Sequence, residues 1–234
     1  MAKTIGMIVP PAAGEVPPEP PVLYPDLTFI AEGLALPKLT PEGYDAVIAD
    51  TAGLAKKLKD RGADAISLMG TSLSFYRGPA GNRQVIEAMR AATDLPVTTM
   101  TNAVLEALDA LGAKRLAVAT AYVGAVNDAL RRYLDQSGYE TLSLEPLNLS
   151  NVEDILAVDE PTLVALGERA LAAAPDADAL FISCGGLKTI NVAPPLEAMF
   201  DVPVITSATA GAWGAARLAG HSGRSPGHGR LFTL

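Results

Sequence analysis

The chain repeats itself, and that repetition limits its fold more than any other feature. Ala63–Ser72 reads ADAISLMGTS, and Ala177–Gly186 reads ADALFISCGG 114 residues later. Asp94–Val97 (DLPV) returns as Asp201–Val204 (DVPV) after 107 residues, and the opening run Ile5–Val9 resembles Leu116–Thr120 after 111. One such match is chance; three in the same order with nearly equal spacing indicate a duplicated unit. Within each copy, short apolar runs alternate with stretches of helical period, the pattern of a parallel sheet covered on both faces. The expected fold is therefore α/β, with two pseudo-symmetric doubly wound lobes, each a short, mainly parallel sheet flanked by helices. Residues 1–113 with a tail of about 208–234 are expected to form the first lobe, and 114–207 the second. Open α/β sheets bind ligands at the carboxyl ends of their strands, so the active site is expected in the cleft between the lobes.

Local signals order the elements. Lys3–Val9 is a strand stopped by Pro10-Pro11, because proline cannot continue a central strand. The Pro-rich segment Ala12–Lys38 lacks helical period and reads as a long loop, ordered or lid-like. Thr40-Pro41 opens a helix running to about Arg61. Further strands are expected at Ala65–Met69, Pro96–Thr99, Arg115–Thr120, Tyr139–Leu144, Ala179–Ile182 and Pro203–Thr206. Helices are expected near Arg83–Thr93, from a Thr101 cap to Leu111, and over Val126–Gln136, Pro161–Ala174, Pro195–Phe200 and Ala210–Ala219. Leu147–Asp154 reads as a loop, and the glycine-rich tail from Gly220 as irregular.

Chemistry concentrates where Ala179–Ile182 stops at Ser183-Cys184-Gly185-Gly186. The two glycines let the backbone turn tightly and bring its N–H groups close to a ligand. Cys184, the only cysteine, stands at the strand's carboxyl end. A small buried thiol filling a core gap is the ordinary alternative, but an accessible, N–H-rich turn is the setting of a reactive one. The repeat aligns Gly70 with Cys184, so Gly70-Thr71-Ser72 faces Cys184-Gly185-Gly186 across one ligand. Only one of the two related places carries a thiol.

Composition narrows the rest. With 49% hydrophobic residues in 234, the chain has ample core, and a single cysteine excludes an internal disulfide or a thiolate metal cluster. No metal site is expected. A net charge of −8 with scattered Lys and Arg makes nucleic acid an unsuitable partner. His221 and His228, the only imidazoles, lie in the tail, which weakens any mechanism built on a histidine base. The first ten residues do not resemble a signal peptide and no run approaches membrane-spanning length. A cytoplasmic, membrane-free, monomeric protein acting on a small molecule is the expectation.

Several strings go further. TIGMIVPPAAG (Thr4–Gly14), LYPDL (Leu23–Leu27), TPEGYDAVI (Thr40–Ile48), SLMGTSLSFYRG (Ser67–Gly78), ATAY (Ala119–Tyr122), SCGGL (Ser183–Leu187) and GRLF (Gly229–Phe232) resemble the arylmalonate decarboxylases, within the aspartate/glutamate racemase superfamily. The match runs nearly the whole chain. The resemblance implies cofactor-free, enantioselective decarboxylation of α-aryl-α-alkyl malonates to 2-arylalkanoic acids through an enediolate. It implies that Thr71, Ser72 and Tyr122, with N–H groups near Cys184 and Gly185, form a dioxyanion hole around the retained carboxylate. Cys184 would then protonate the α-carbon. Leu36, Leu39, Tyr44, Val152 and Ile155 fall where the family places an apolar pocket around the departing carboxylate. Pro10, Pro11 and Leu73 match other cavity residues, and Gly70, Gly185 and Gly186 allow close approach of substrate.

Other readings use the same residues. A racemase or maleate-type cis–trans isomerase of the superfamily wants a second acid/base where Gly70 stands. A Cys-nucleophile hydrolase needs a base beside Cys184. A non-catalytic small-molecule binder needs neither.

Overall fold

Proline and glycine punctuate the chain into short segments, and burial decides which become strands. The structure, a computed structural model, describes residues 2–234. Eight strands form: β1 (Thr4–Val9), β2 (Thr28–Gly33), β3 (Ala65–Leu68), β4 (Val97–Thr99), β5 (Arg115–Thr120), β6 (Glu140–Pro146), β7 (Ala179–Ser183) and β8 (Val204–Thr206). They make two parallel four-stranded sheets in the orders β2-β1-β3-β4 and β6-β5-β7-β8. Both central strands of each sheet are almost wholly buried, as their unbroken apolar runs require.

The helices are α1 (Glu19–Leu23), α2 (Pro41–Val47), α3 (Thr51–Asp60), α4 (Thr71–Phe75), α5 (Gly78–Thr93) and α6 (Met100–Ala110) in the first half. The second half adds α7 (Gly124–Gln136), α8 (Val152–Leu156), α9 (Glu160–Ala172), α10 (Ala193–Phe200) and α11 (Ser207–Leu218). Among the described residues no helix is long and apolar enough to cross a membrane.

The duplication holds at the level of single residue pairs. Ile8 stands opposite Leu68, and Leu68 opposite Thr99; their counterparts Ala119, Ile182 and Thr206 pair the same way. Recurrent side chains have recurrent jobs. The Asp64 carboxylate accepts from Thr4 N at 2.8 Å, and Asp178 accepts from Lys114 N and Arg115 N at 2.9 and 2.7 Å. Each aspartate thus fixes the start of the neighbouring strand, which explains the repeated Ala-Asp-Ala. Asp94 and Asp201 end α5 and α10 in the left-handed conformation, φ 56° and 57°, which aspartate tolerates better than most residues. Thr99 and Thr206 then cap α6 and α11, accepting from Asn102 N and Thr209 N.

Several expectations need correction. Ala12–Lys38 is not one long loop: it contains α1 and the edge strand β2. That strand is half-exposed, and its ladder to β1 makes it a strand rather than any pattern of its own. The helix expected from Pro41 to Arg61 is broken by a 3-10 turn at Ile48–Asp50. Two short helices, α4 and α8, occupy stretches without a clear period. Thr99, not Thr101, caps α6; the Thr101 hydroxyl donates instead to Thr71 O at 3.0 Å. The tail gains a 3-10 turn at Arg230–Thr233. The remaining boundaries agree within a few residues.

Helix α11 lies along α6 and touches strands of both sheets. The approach is close: a Cβ on Gly214 would stand 2.4 Å from Ala103 Cβ. This helix pair braces the two halves so that the carboxyl ends of β3 and β7 face one another.

Candidate active site

Both central strands end in a turn, and both turns open into one cavity of about 430 Å³. From the first half come Gly70, Thr71 and Ser72; from the second, Cys184, Gly185 and Gly186. Pro10 and Pro11, at the end of β1, form part of the wall, with Leu36, Leu39, Val152 and Ile155. Leu39 N donates to Ser150 O at 3.2 Å, which holds the apolar segment of one half against the loop before α8.

The donors at the two turns are neutral, and Lys188, which is exposed, is the cation on the cavity lining. Gly70 is the N-cap of α4, so the N–H groups of Thr71 and Ser72 have no partner inside the helix. Gly185 N–H donates to no protein group among the described residues. The Thr71 hydroxyl, almost fully buried, reaches the Met100 sulfur at 3.0 Å. A Cβ on Gly185 would meet Met100 Sδ at 2.7 Å and Met69 O at 3.2 Å, so only glycine brings this N–H so near.

Cys184 takes φ +150°, a conformation that L-residues rarely adopt. Such strain persists only where the surroundings over-determine it. Here Cys184 N donates to Ser207 Oγ at 3.2 Å, and Leu187 N returns to Cys184 O at 3.3 Å. Burial pushes the thiol up to about 11; the N–H of Gly186, the Tyr122 phenol and the N–H of Leu187 pull the other way, favouring thiolate. The sulfur is therefore a protonated thiol at neutral pH, yet a thiolate formed on it would meet three donors.

Three of the expected residues stand one layer behind the cavity surface. Tyr122 is buried, with its phenol accepting from Ser183 Oγ at 3.3 Å and within reach of Thr71 and Cys184. Burial, then the neighbouring Cys184 and Tyr44, raise its pKa far above the ordinary phenol value. Asn127 Nδ2 donates to Tyr122 O at 2.9 Å and is oriented by Thr120, which fixes the residue that carries the phenol. Tyr44 is buried beside Ser72, but its hydroxyl meets no partner at full hydrogen-bond geometry. Leu73 lies under Gly70, where a Cβ would approach Leu73 Cδ1 to 2.7 Å.

The site also includes residues that sequence reasoning did not find. Met100 touches Thr71 and the Gly185 turn, and Ser207 holds Cys184; both are first residues of their helices and lie 107 positions apart. Extending the DLPV repeat three residues would have paired them. Glu19, buried in the cavity wall, accepts from Thr189 N at 3.1 Å, and burial raises its carboxyl above the usual value while the Thr189 N–H opposes the rise. A lone glutamate among prolines gave no signal. Neither His221, beside Tyr24 and Asp26, nor His228 lines the cavity.

A protein-family model described as arylmalonate decarboxylase matches residues 5–232. The chain belongs to the arylmalonate decarboxylase family. It is 52% identical to the arylmalonate decarboxylase of Bordetella bronchiseptica, over 98% of this chain and 96% of that protein. The solved structure of a glycine-to-cysteine, cysteine-to-serine arylmalonate decarboxylase in liganded form superposes with a TM-score of 0.97. That match has 51% identity and covers 99% of both chains. A maleate isomerase structure from Pseudomonas putida S16 matches at 24% identity, covering 99% of this chain and 98% of that one. Its TM-score of 0.91 shows a shared fold. The two parallel sheets and their cleft are thus the architecture of the arylmalonate decarboxylase family and of maleate isomerases alike.

Proposed function

We propose that this chain decarboxylates α-aryl-α-alkyl malonates to 2-arylalkanoic acids of one handedness, using its own side chains and no cofactor. The observation that carries the reading is the facing of two unlike turns in one cavity, neutral donors on one and a protonated thiol on the other.

The retained carboxylate accepts from the Thr71 and Ser72 hydroxyls and from the N–H groups of Thr71, Ser72 and Gly185, with the Tyr122 phenol behind them. The departing carboxylate rests against Leu36, Leu39, Val152 and Ile155, side chains that solvate an anion poorly. The bond from the α-carbon to that carboxylate breaks, neutral CO2 leaves, and the electron pair moves into the retained carboxylate as an enediolate. Aimed donors stabilise that developing charge, and losing one costs about 10²–10³ in rate. Cys184 then gives its proton to the α-carbon. The thiolate left behind is held by the N–H groups of Gly186 and Leu187 and by Tyr122, until water returns the proton.

Protonation comes from one side because Gly70 offers no acid on the other. This supports decarboxylation over racemisation or cis–trans isomerisation, in which a second acid/base is wanted there. The placement of both histidines outside the cavity leaves a Cys-nucleophile hydrolase without a histidine base.

The decisive experiment follows CO2 release and product handedness from α-methyl-α-phenylmalonate in metal-free buffer. Turnover to one enantiomer is expected, and Cys184→Ala should reduce it by at least about 10²-fold with the melting temperature retained. Unchanged substrate after prolonged incubation, or a Cys184→Ala rate equal to that of the unaltered protein, refutes the reading.

A further inference from the structure

A carboxylate is an expensive choice for the wall of an apolar cavity unless it holds something in place. Glu19 is such a group. It is 2% exposed and opens α1, at the end of the Gly14–Pro18 strap that covers one side of the cavity. The strap is anchored on either side, by Gly14 N to Pro11 O and by Tyr24 Oη to Gly223 O at 2.9 Å. Between those anchors its polar tie is Glu19, whose Oε1 accepts from Thr189 N, 170 residues away in the loop that follows Cys184.

Within that loop the 184–189 turn is otherwise held from the start of α11, and farther on Asn191 Nδ2 donates to Glu160 Oε1 at 3.0 Å. Thr189 Oγ1 and Thr206 Oγ1 share a hydrogen bond at 2.7 Å, and Thr206 shares another with Thr209 Oγ1 at 2.7 Å. Thr206 caps α11, and the next residue, Ser207, accepts the Cys184 N–H. Both ends of the 184–189 turn are therefore tied to the start of α11, and Glu19 clamps the far end from the opposite side. A strained residue needs such bracing from more than one side.

We propose that Glu19 is a positioning residue: through Thr189 it locks the 184–189 turn against the strap and so holds the Cys184 thiol in place. Its catalytic consequence rests on the proposed decarboxylation; its structural consequence does not. With the clamp removed, the turn opens more often, the thiol meets solvent, and protonation of a planar intermediate loses its sidedness.

The test reads the thiol directly. Cys184 is the only cysteine, so alkylation of the intact protein by iodoacetamide, followed by mass spectrometry at fixed pH, reports on it alone. Glu19→Ala is expected to raise the alkylation rate about tenfold, the effect of losing one hydrogen bond to a charged group. Glu19→Gln, whose amide oxygen still accepts from Thr189, should hold the rate within about twofold of the original. Hydrogen exchange at the Thr189 amide should speed up in Glu19→Ala and not in Glu19→Gln. With α-methyl-α-phenylmalonate, Glu19→Ala should lower kcat and erode enantiomeric excess, with Glu19→Gln restoring both. Should Glu19→Ala not fold, Glu19→Asp, whose shorter side chain draws the carboxylate back from Thr189 N, takes its place and should also speed alkylation. Alkylation and exchange unchanged in the folded variant, or equally fast in Glu19→Gln, overturn the proposal. Because alkylation needs no turnover, the clamp is judged by those rates even if the unaltered protein leaves arylmalonates untouched.

Discussion

Cys184 combines two properties that usually oppose each other. Its backbone strain and its donors are those of a reactive turn, while burial keeps the sulfur protonated. A nucleophilic cysteine needs the thiolate, whereas a proton donor needs the thiol, and the site favours the second. The pH dependence separates them. With the thiol raised from 9.0 to about 11, kcat should stay level through neutrality and fall as pH rises through about 11, when the donor is lost. A rate that climbs between about pH 7 and 9, following thiolate formation, would mark a nucleophile instead. The same burial explains the uncharged donor set: hydroxyl and N–H groups can surround an anion without a counter-charge that would need its own solvation.

At the scale of elements, each half is assembled by the same few contacts. The aspartates before β3 and β7 accept backbone N–H groups from the starts of β1 and β5, and those donors hold both carboxyls below the ordinary carboxylate value. A carboxyl lowered by folding stabilises the native state above its unfolded value. That contribution is lost as pH falls through the lowered one. Asp64→Ala and Asp178→Ala should therefore lower the melting temperature at neutral pH and flatten its decline below about pH 4. An acid decline as steep as in the unaltered protein would show that these carboxylates do not couple to folding. The short helices follow from the turns. Helix α4 starts where Gly70, just past β3, takes an extended N-cap conformation, which leaves its first N–H groups without a helical partner.

For the whole molecule, the consequence of duplication is two faces across one cavity, with a thiol on one of them. Exchanging the faces is a direct test. Gly70→Cys combined with Cys184→Ser should give the opposite enantiomer in excess, read by chiral chromatography. Retention of the original handedness would contradict the facing geometry. The exchange is not free, because a Cβ at Gly70 meets Leu73 Cδ1 at 2.7 Å. Leu73 must change rotamer, at about 1 kcal/mol, so the exchanged enzyme should be slower even where its stereochemistry is clean. The α6–α11 pair sets the distance between the faces, since Gly214 lets α11 close on Ala103.

The doubled βα order, the buried central strands and the alignment of Gly70 with Cys184 were all legible in the sequence. Buried parallel strands must be apolar throughout, and helix starts leave local marks such as Thr40-Pro41. The Ser183–Leu187 and Ser67–Gly78 strings carried the family as well. What could not be read there depends on partners distant in the chain. TFIAEG is a strand because β1 offers it a ladder, and Thr99 caps α6 because Thr101 is drawn to Thr71 O. Tyr44, Leu73 and Tyr122 were placed by resemblance alone, and only packing sets them behind the cavity surface. Ser207 and Glu19 matter through single hydrogen bonds across 23 and 170 residues, and no local pattern encodes a contact of that range. Local sequence determines the pieces and their order, because propensity and burial act on neighbours. Tertiary closure alone decides which polar groups meet, because that is settled only when the halves face each other.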